Sequence, residues 1–340
     1  MINSGRNIVL MLVGVVMVAA LVGASQGGAV PEKPNPKAAP AATPAATASP
    51  LSWAEVLEQN PDPKVVTDAD FLKRIIATKL PWRVKDKASG MEMLLVPPGK
   101  FMIGMSPGDA GARDDEKPAH EVTISKAFYL GRTEVTQEQW MQVMGDNPSA
   151  FQDGSRGKLI AKYIEEGLTK QEAQAKAAAQ TPNGWKQENH PVEQVSWDYC
   201  QKFCAKTGMI LPTEAQWEYA CRAGVDKATY GELDLIAWNF DNANTSTHPV
   251  AQKAPNALGF YDMIGNVWEW TNDWYEGDYY KSCVDGVVDP TGPAQSESGA
   301  RVLRGGGWGD VADYCRASGR YTLAPGKQDI GFGCRFARTP

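Results

Sequence analysis

Histidine is scarce in this chain, and its scarcity removes the commonest transition-metal chemistries. Only His120, His190 and His248 occur among 340 residues. They stand in the contexts Ala119-His120-Glu121, His190-Pro191 and Thr247-His248-Pro249, without the HExxH or HxxxH spacing that gathers zinc or non-haem iron. Positive charge is not in excess either. A net charge of -6 and a pI near 5.3 leave no basic footprint to collect phosphates, so nucleic acid is not an expected partner. Long apolar runs are limited to Ile8–Ala24, behind Arg6 and ahead of the small residues Val22-Gly23-Ala24. That arrangement predicts an export signal over residues 1–29, with an uncleaved membrane tether through residues 8–24 as the alternative. No cysteine closes the run, so a lipid anchor is not indicated.

What is present points to an exported, folded protein. Six prolines among alanines between Pro31 and Pro50 favour extended polyproline II, which predicts a spacer over residues 30–50. A hydrophobic content of 43% with eleven tryptophans supports a sizeable core, and the expected localisation is periplasmic or extracellular. Within residues 51–86, Phe71, Leu72, Ile75 and Ile76 recur at helical spacing behind Asp68, predicting a short amphipathic helix that docks onto the main domain. That domain is expected over 87–340, opening with a strand and turn at Met93–Phe101 and another strand at Phe128–Leu130. A Lys-, Glu- and Ala-rich stretch near 152–186, bounded by Pro182 and Gly184 and lacking a strong apolar face, reads as an inserted surface helix.

Two later helices carry explicit start and stop signals. Ser196 is placed to cap a helix through Cys200 and Cys204 that ends at Gly208. Thr213 with Gln216 forms a capping-box pattern for a helix from Glu214 through Arg222, closed by Gly224. Beyond residue 225 the chain is dominated by Gly, Asn, Asp, Pro and Trp, so loops are expected to outnumber regular elements.

The run Gly259-Phe260-Tyr261-Asp262-Met263-Ile264-Gly265-Asn266-Val267-Trp268-Glu269-Trp270 has neither helical nor strand periodicity. Such a run suits an aromatic-buttressed irregular backbone that turns carbonyls and carboxylates inward, as a hard-cation site requires. If extended from Gly265 on, positions 265, 267 and 269 share one side while Trp268 and Trp270 enter the core.

Six cysteines, an even count in an exported chain, make disulfides the default. Cys200 and Cys204 lie four apart on one helix, where Cβ atoms are about 5–6 Å apart, beyond the roughly 3.5–4.5 Å that a disulfide needs. Each must therefore find a partner elsewhere. A zinc site is the rival, though one C-x3-C without a second pair is a thin signal for it.

Six motifs in order, Thr133-Glu134-Val135-Thr136, Pro191–Trp197, Leu211–Ala220, the run ending Trp268-Glu269-Trp270, Arg304-Gly305-Gly306-Gly307-Trp308 and Gly331-Phe332, resemble the formylglycine-generating enzyme family, also called sulfatase-modifying factors. The resemblance covers about Met91 to Arg338. It implies an α+β fold, the loop-rich variant of the C-type lectin fold. It also implies structural disulfides Cys204–Cys334 and Cys221–Cys315, leaving Cys200 and Cys283 for a third bridge. It places calcium on the side chains of Asp262 and Glu269 and the carbonyls of Gly265 and Val267; the competing account has both carboxylates bonding loop amides.

The chemistry is where the chain departs from that family, whose oxidation of substrate cysteines uses a thiol pair that holds copper(I). Trp308 to Tyr314 contains no cysteine, and if Cys315 is one of the pair, Asp310 takes the other's place. Copper is therefore not expected, and no catalytic residue is assigned. The three histidines also lack the spacing of relatives that use iron. Ile210 stands where many relatives carry a basic residue, which suggests no mechanism. The expected function is an exported, calcium-stabilised, non-catalytic module whose groove near Trp308, Asp310 and Arg316 binds a peptide, a glycan or an envelope protein. The alternative is an oxidoreductase acting on sulfatase cysteines, or a related metal-dependent oxidase.

Overall fold

Short strands in three separate sheets, joined by capped helices and long loops, make up the computed structural model, which describes residues 51–151, 159, 162–180, 189–283 and 285–340. All of these belong to the compact unit Ala48–Pro340. The expected signal, tether and spacer lie outside the described residues. Among the described residues no helix is long and apolar enough to cross a membrane. The architecture is the expected loop-rich α+β fold.

A five-stranded antiparallel sheet runs in the order Ala54–Glu58, Arg83–Asp86, Glu92–Val96, Phe128–Gly131, Ala337–Arg338. Its central strands read as nearly continuous apolar runs because both faces are covered: Met93, Leu94, Leu95, Val96 and Leu130 are all buried. The region 51–86 is thus more than the expected helix, since it supplies two strands of this sheet. The helix itself spans Ala69–Ala77, with Asp68 accepting from the Asp70 and Phe71 amides and with Phe71 and Ile75 buried. It docks through Arg74, which donates to the Tyr219 hydroxyl at 2.7 Å and the Pro98 carbonyl at 3.0 Å.

The two signposted helices form where their caps dictate. In Trp197–Thr207 the Ser196 side chain accepts from the Tyr199 amide, and Gly208 closes the helix at φ 74°. In Glu214–Arg222 the Thr213/Gln216 capping box is complete, and two left-handed residues close the helix, Ala223 at φ 46° and the expected Gly224 at φ 88°. The inserted helix spans Lys170–Gln180; its expected boundary residues Pro182 and Gly184 lie outside the described residues. It is less purely a surface element than its composition implied. Ala173 and Ala177, one turn apart, are buried with Phe151, Tyr163 and Ile330 in a satellite cluster against which Trp308 packs.

A four-stranded sheet positions the functional region in the order Arg320–Leu323, Arg301–Arg304, Trp268–Trp274, Phe332–Gly333. The last two strands are parallel, pairing Phe332 with Trp268 and Gly333 with Glu269. A third sheet, Gly99–Ile103, His120–Ile124 and Val287–Val288, lies elsewhere in the unit.

Candidate functional site

The 259–270 run is irregular for a backbone reason. Asp262, Gly265 and Asn266 adopt φ values of 53°, 84° and 59°, so alternation cannot begin until the strand starts at Trp268. A Cβ on Gly265 would lie 2.5 Å from the Trp238 carbonyl oxygen, so glycine is required there on both steric and dihedral grounds. Trp270 is the core anchor, donating its indole N–H to the Val195 carbonyl at 2.8 Å. Trp268 is buried in the core beside it, as expected, and also contributes to the wall of a surface groove.

Glu134 braces the run from behind. Its Oε1 accepts from the Val267 amide at 2.9 Å and its Oε2 from the Asn266 side chain at 2.7 Å. Burial, with the nearby charges of Asp262 and Glu269, pushes the Glu134 carboxyl well above the ordinary range. Asp262 is also buried; its Oδ2 accepts from the Ala251 amide at 2.7 Å, Oδ1 has no partner among the described residues, and burial lifts the group to about 6.

Calcium was expected on Asp262, Gly265, Val267 and Glu269, and the donor set does not fit it. Glu269 is engaged on both oxygens by Arg335, whose Nε lies 3.0 and 2.9 Å from Oε1 and Oε2 and whose Nη2 lies 2.7 Å from Oε1. The Trp217 indole donates to Oε2 at 2.6 Å. Among the described residues no three His, Cys, Asp or Glu side chains are grouped to hold a metal ion.

The three histidines stand apart. His120 Nδ1 lies 3.1 Å from the Pro118 carbonyl, His190 Nδ1 lies 3.0 Å from Thr247 Oγ1, and His248 Nε2 lies 2.8 Å from the Ala243 carbonyl, with its ring stacked on Trp238.

The groove, of about 350 Å³, is walled by Trp268, Trp308, Tyr321 and Phe332 and by Asp310 and Asp329, with Gly307, Gly309, Ile330 and Gly331 completing it. Two of the three expected groove residues are there. Asp310 is held in place: Oδ2 accepts from the Trp268 indole at 2.7 Å and the Gly307 amide at 3.0 Å, and burial raises its carboxyl above the usual value. Trp308 donates to the Ile330 carbonyl at 3.0 Å and meets Phe151 edge-on. Arg316 is a correction. It is buried away from the groove wall, paired with Glu116 at 2.7 Å and Asp109 at 2.8 Å, with Nε on the Asp313 carbonyl. Its long side chain folds inward because two carboxylates are there to neutralise it.

The six cysteines are free thiols, so the expected bridges Cys204–Cys334, Cys221–Cys315 and Cys200–Cys283 are not joined. Cys334 hydrogen-bonds Cys200 and lies within electrostatic reach of Cys204. Cys200 is fully buried in that group, whereas Cys283 is half-buried and directs its thiol to the Tyr279 carbonyl at 3.4 Å, so the structure does not bring the third pair together. Cys221 points at the Met263 carbonyl. Cys315 packs so closely on Gly306 that a Cβ there would lie 2.7 Å from its sulfur. Burial pushes the thiols of Cys204, Cys221 and Cys315 up to about 12, so none is a thiolate near neutral pH, the form that attacks or binds metal.

Sequence reasoning missed Glu134 and Arg335. Glu134 was visible inside a quoted motif without a stated role; Arg335, beside a cysteine near the C-terminus, carried no local signal.

Comparison with known proteins agrees with this architecture. The sulfatase-modifying factor enzyme 1-like domain matches residues 82–340. Formylglycine-generating enzyme of Streptomyces coelicolor is 31% identical over 278 residues, 70% of this chain and 87% of the relative. Serine/threonine-protein kinase pkn1 of Chlamydia caviae is 33% identical over 258 residues, 75% of this chain. The chain spans only 39% of that kinase's length. Among solved structures, PvdO from Pseudomonas aeruginosa aligns with TM-score 0.58 and 25% identity over 76% of this chain and 98% of that one. Treponema denticola variable protein 1 aligns with TM-score 0.57 and 28% identity over 74% and 95%. With a family match over residues 82–340, the chain belongs to the sulfatase-modifying factor enzyme 1-like family.

Proposed function

We propose that this chain is an exported, non-catalytic member of its family, whose aromatic groove binds an extended peptide, a glycan or a partner protein of the cell envelope. The observation that carries this reading is the composition of the groove: four aromatic rings and two carboxylates, with no sulfur among its described lining residues. Aromatic faces with flanking carboxylates suit sugar rings and peptide side chains, which stack and donate hydrogen bonds. Copper(I) requires soft thiolate ligands. Here Asp310 is already bonded to Trp268 and Gly307, and Cys315 is a buried neutral thiol. Calcium does not enter the proposal, because Glu269 is fully engaged by Arg335 and Trp217.

Export rests on the N-terminal apolar run and the Ala/Pro-rich stretch after it. A second reading, oxidation of sulfatase cysteines, is favoured by the 31% identity with the Streptomyces coelicolor enzyme over 87% of its length. Incubating the copper(I)-loaded protein with a Cys-x-Pro-x-Arg peptide under oxygen separates the two. The binding reading expects the peptide back unchanged; aldehyde formation replaces it with the enzyme. Screening against glycan and peptide arrays is then expected to give ligands whose binding falls on Trp308→Ala.

A further inference from the structure

We propose that Arg335 is a tethered replacement for the cation expected at residues 262–269, so that this chain holds the run together with its own guanidinium and without calcium. The acceptors around Arg335 are those a hard cation would collect. They are both carboxylate oxygens of Glu269 and the backbone carbonyls of Gly131 at 2.9 Å, Tyr261 at 2.9 Å and Asp262 at 3.2 Å. Calcium prefers such a mixture of carboxylate and carbonyl oxygens. A guanidinium meets the same acceptors from a planar fork, and its charge is permanent. Arg335 and Glu269 are 0% and 1% exposed, so the pair is formed away from water.

The location explains how one residue does this. Gly333 pairs with Glu269 in the parallel strands Phe332–Gly333 and Trp268–Trp274, and Arg335 follows two positions later. The side chain therefore enters the space between the strand carrying Glu269 and the irregular turn carrying Asp262. For calcium to take Glu269, the carboxylate would have to leave Arg335 and strand a buried cation, which is strongly disfavoured. Asp262 Oδ1, buried and without a hydrogen-bond partner among the described residues, is the carboxylate oxygen of the expected set that is still able to receive an ion. Yet Arg335 already donates to the carbonyl of that same residue, so a divalent ion there would face a fixed positive charge nearby.

The test uses the whole chain and does not depend on any ligand or activity. Wild-type protein is titrated with calcium by calorimetry and melted in chelator and in excess calcium. Arg335→Met, which keeps length and loses charge, is treated in parallel, with terbium luminescence sensitised by tryptophan as a direct reading of metal at the site. The expected result is no stoichiometric calcium binding and an unchanged Tm for wild type. Arg335→Met is expected to melt lower in chelator, to recover on adding calcium, and to gain terbium emission. Stoichiometric calcium binding by wild type whose removal lowers Tm would overturn the proposal, as would a folded Arg335→Met that neither binds terbium nor responds to calcium. If Arg335→Met does not fold under either condition, the wild-type titration decides alone.

Discussion

The Trp268 indole donates to Asp310 Oδ2 at 2.7 Å, and the Gly307 amide joins it on the same oxygen at 3.0 Å. One carboxylate thereby ties the strand that opens at Trp268 to the glycine-rich turn that follows Arg304, and sets the width of the groove between them. Removing it leaves two part-buried donors without an acceptor. Asp310→Ala is expected to lower the unfolding free energy by about 1–3 kcal/mol, and Asp310→Asn, which keeps an acceptor oxygen, by clearly less. Urea denaturation of the two variants against wild type measures the difference; equal losses would mean that these hydrogen bonds contribute little.

The thiols differ enough in exposure for chemistry to sort them. Cys200, Cys204, Cys221, Cys315 and Cys334 are buried, and Cys283 alone is half-buried. Brief alkylation of the native protein is expected to label Cys283 first, slowly, because burial raises its thiol as well. Peptide mapping after denaturation under non-reducing conditions then reports the other five. Recovery of Cys283 joined to Cys200 would contradict the separate surroundings the structure gives them.

Much of the fold was legible because its signals are local. Asp68, Ser196 and the Thr213/Gln216 pair announce helix starts through hydrogen bonds that span only three residues. The irregularity of 259–270 was equally readable, since glycine and asparagine mark left-handed backbone. The calcium expectation failed to anticipate Arg335 because its partner Glu269 is 66 residues away, and nothing in sequence spacing reports a contact of that range. Arg316 was misplaced for the same reason, as Glu116 is 200 residues distant. The strands at Ala54–Glu58 and Arg83–Asp86 are short and weakly alternating, and they become strands only through pairing with Glu92–Val96 and with each other.

Glu218 anchors a buried charge network between the Glu214–Arg222 helix and the two neighbouring sheets. Its Oε1 accepts from the Gly104 amide at 2.9 Å and Arg222 Nε at 2.7 Å, and its Oε2 accepts from Arg304 Nη2. All three charged residues are buried. Truncating the anion leaves buried Arg222 without its carboxylate and Arg304 with only the longer contact to Glu214 at 3.5 Å, so Glu218→Ala is expected to cost about 3–5 kcal/mol in unfolding free energy. Replacing the three together by apolar residues of similar volume is expected to cost much less than the sum of the single changes, and chemical denaturation of both proteins tests the contrast.

Asp273 gives the pH dependence a definite sign. It is buried, accepts from the Glu214 amide at 2.9 Å, and is raised to about 8 by burial and by the neighbouring Glu214 carboxylate. In the unfolded chain an aspartate titrates near about 4. Between those values the folded protein keeps a proton that the unfolded chain has released. Folding stability from this group is therefore full at low pH, falls as pH rises from about 4 toward 8, and levels off beyond, with a slope of at most about 1.4 kcal/mol per pH unit. Glu116 acts in the opposite sense: burial works to raise it, but the bonds from Arg316 win and hold it low, so its contribution is lost on acidification. Comparing Asp273→Asn with wild type across the range separates the two. Asparagine can accept from the Glu214 amide without carrying a proton that titrates, so the variant is expected to gain on wild type as pH rises toward 8. Parallel stability curves for the two proteins between pH 5 and pH 8, by urea denaturation, would mean that Asp273 is already ionised in the fold.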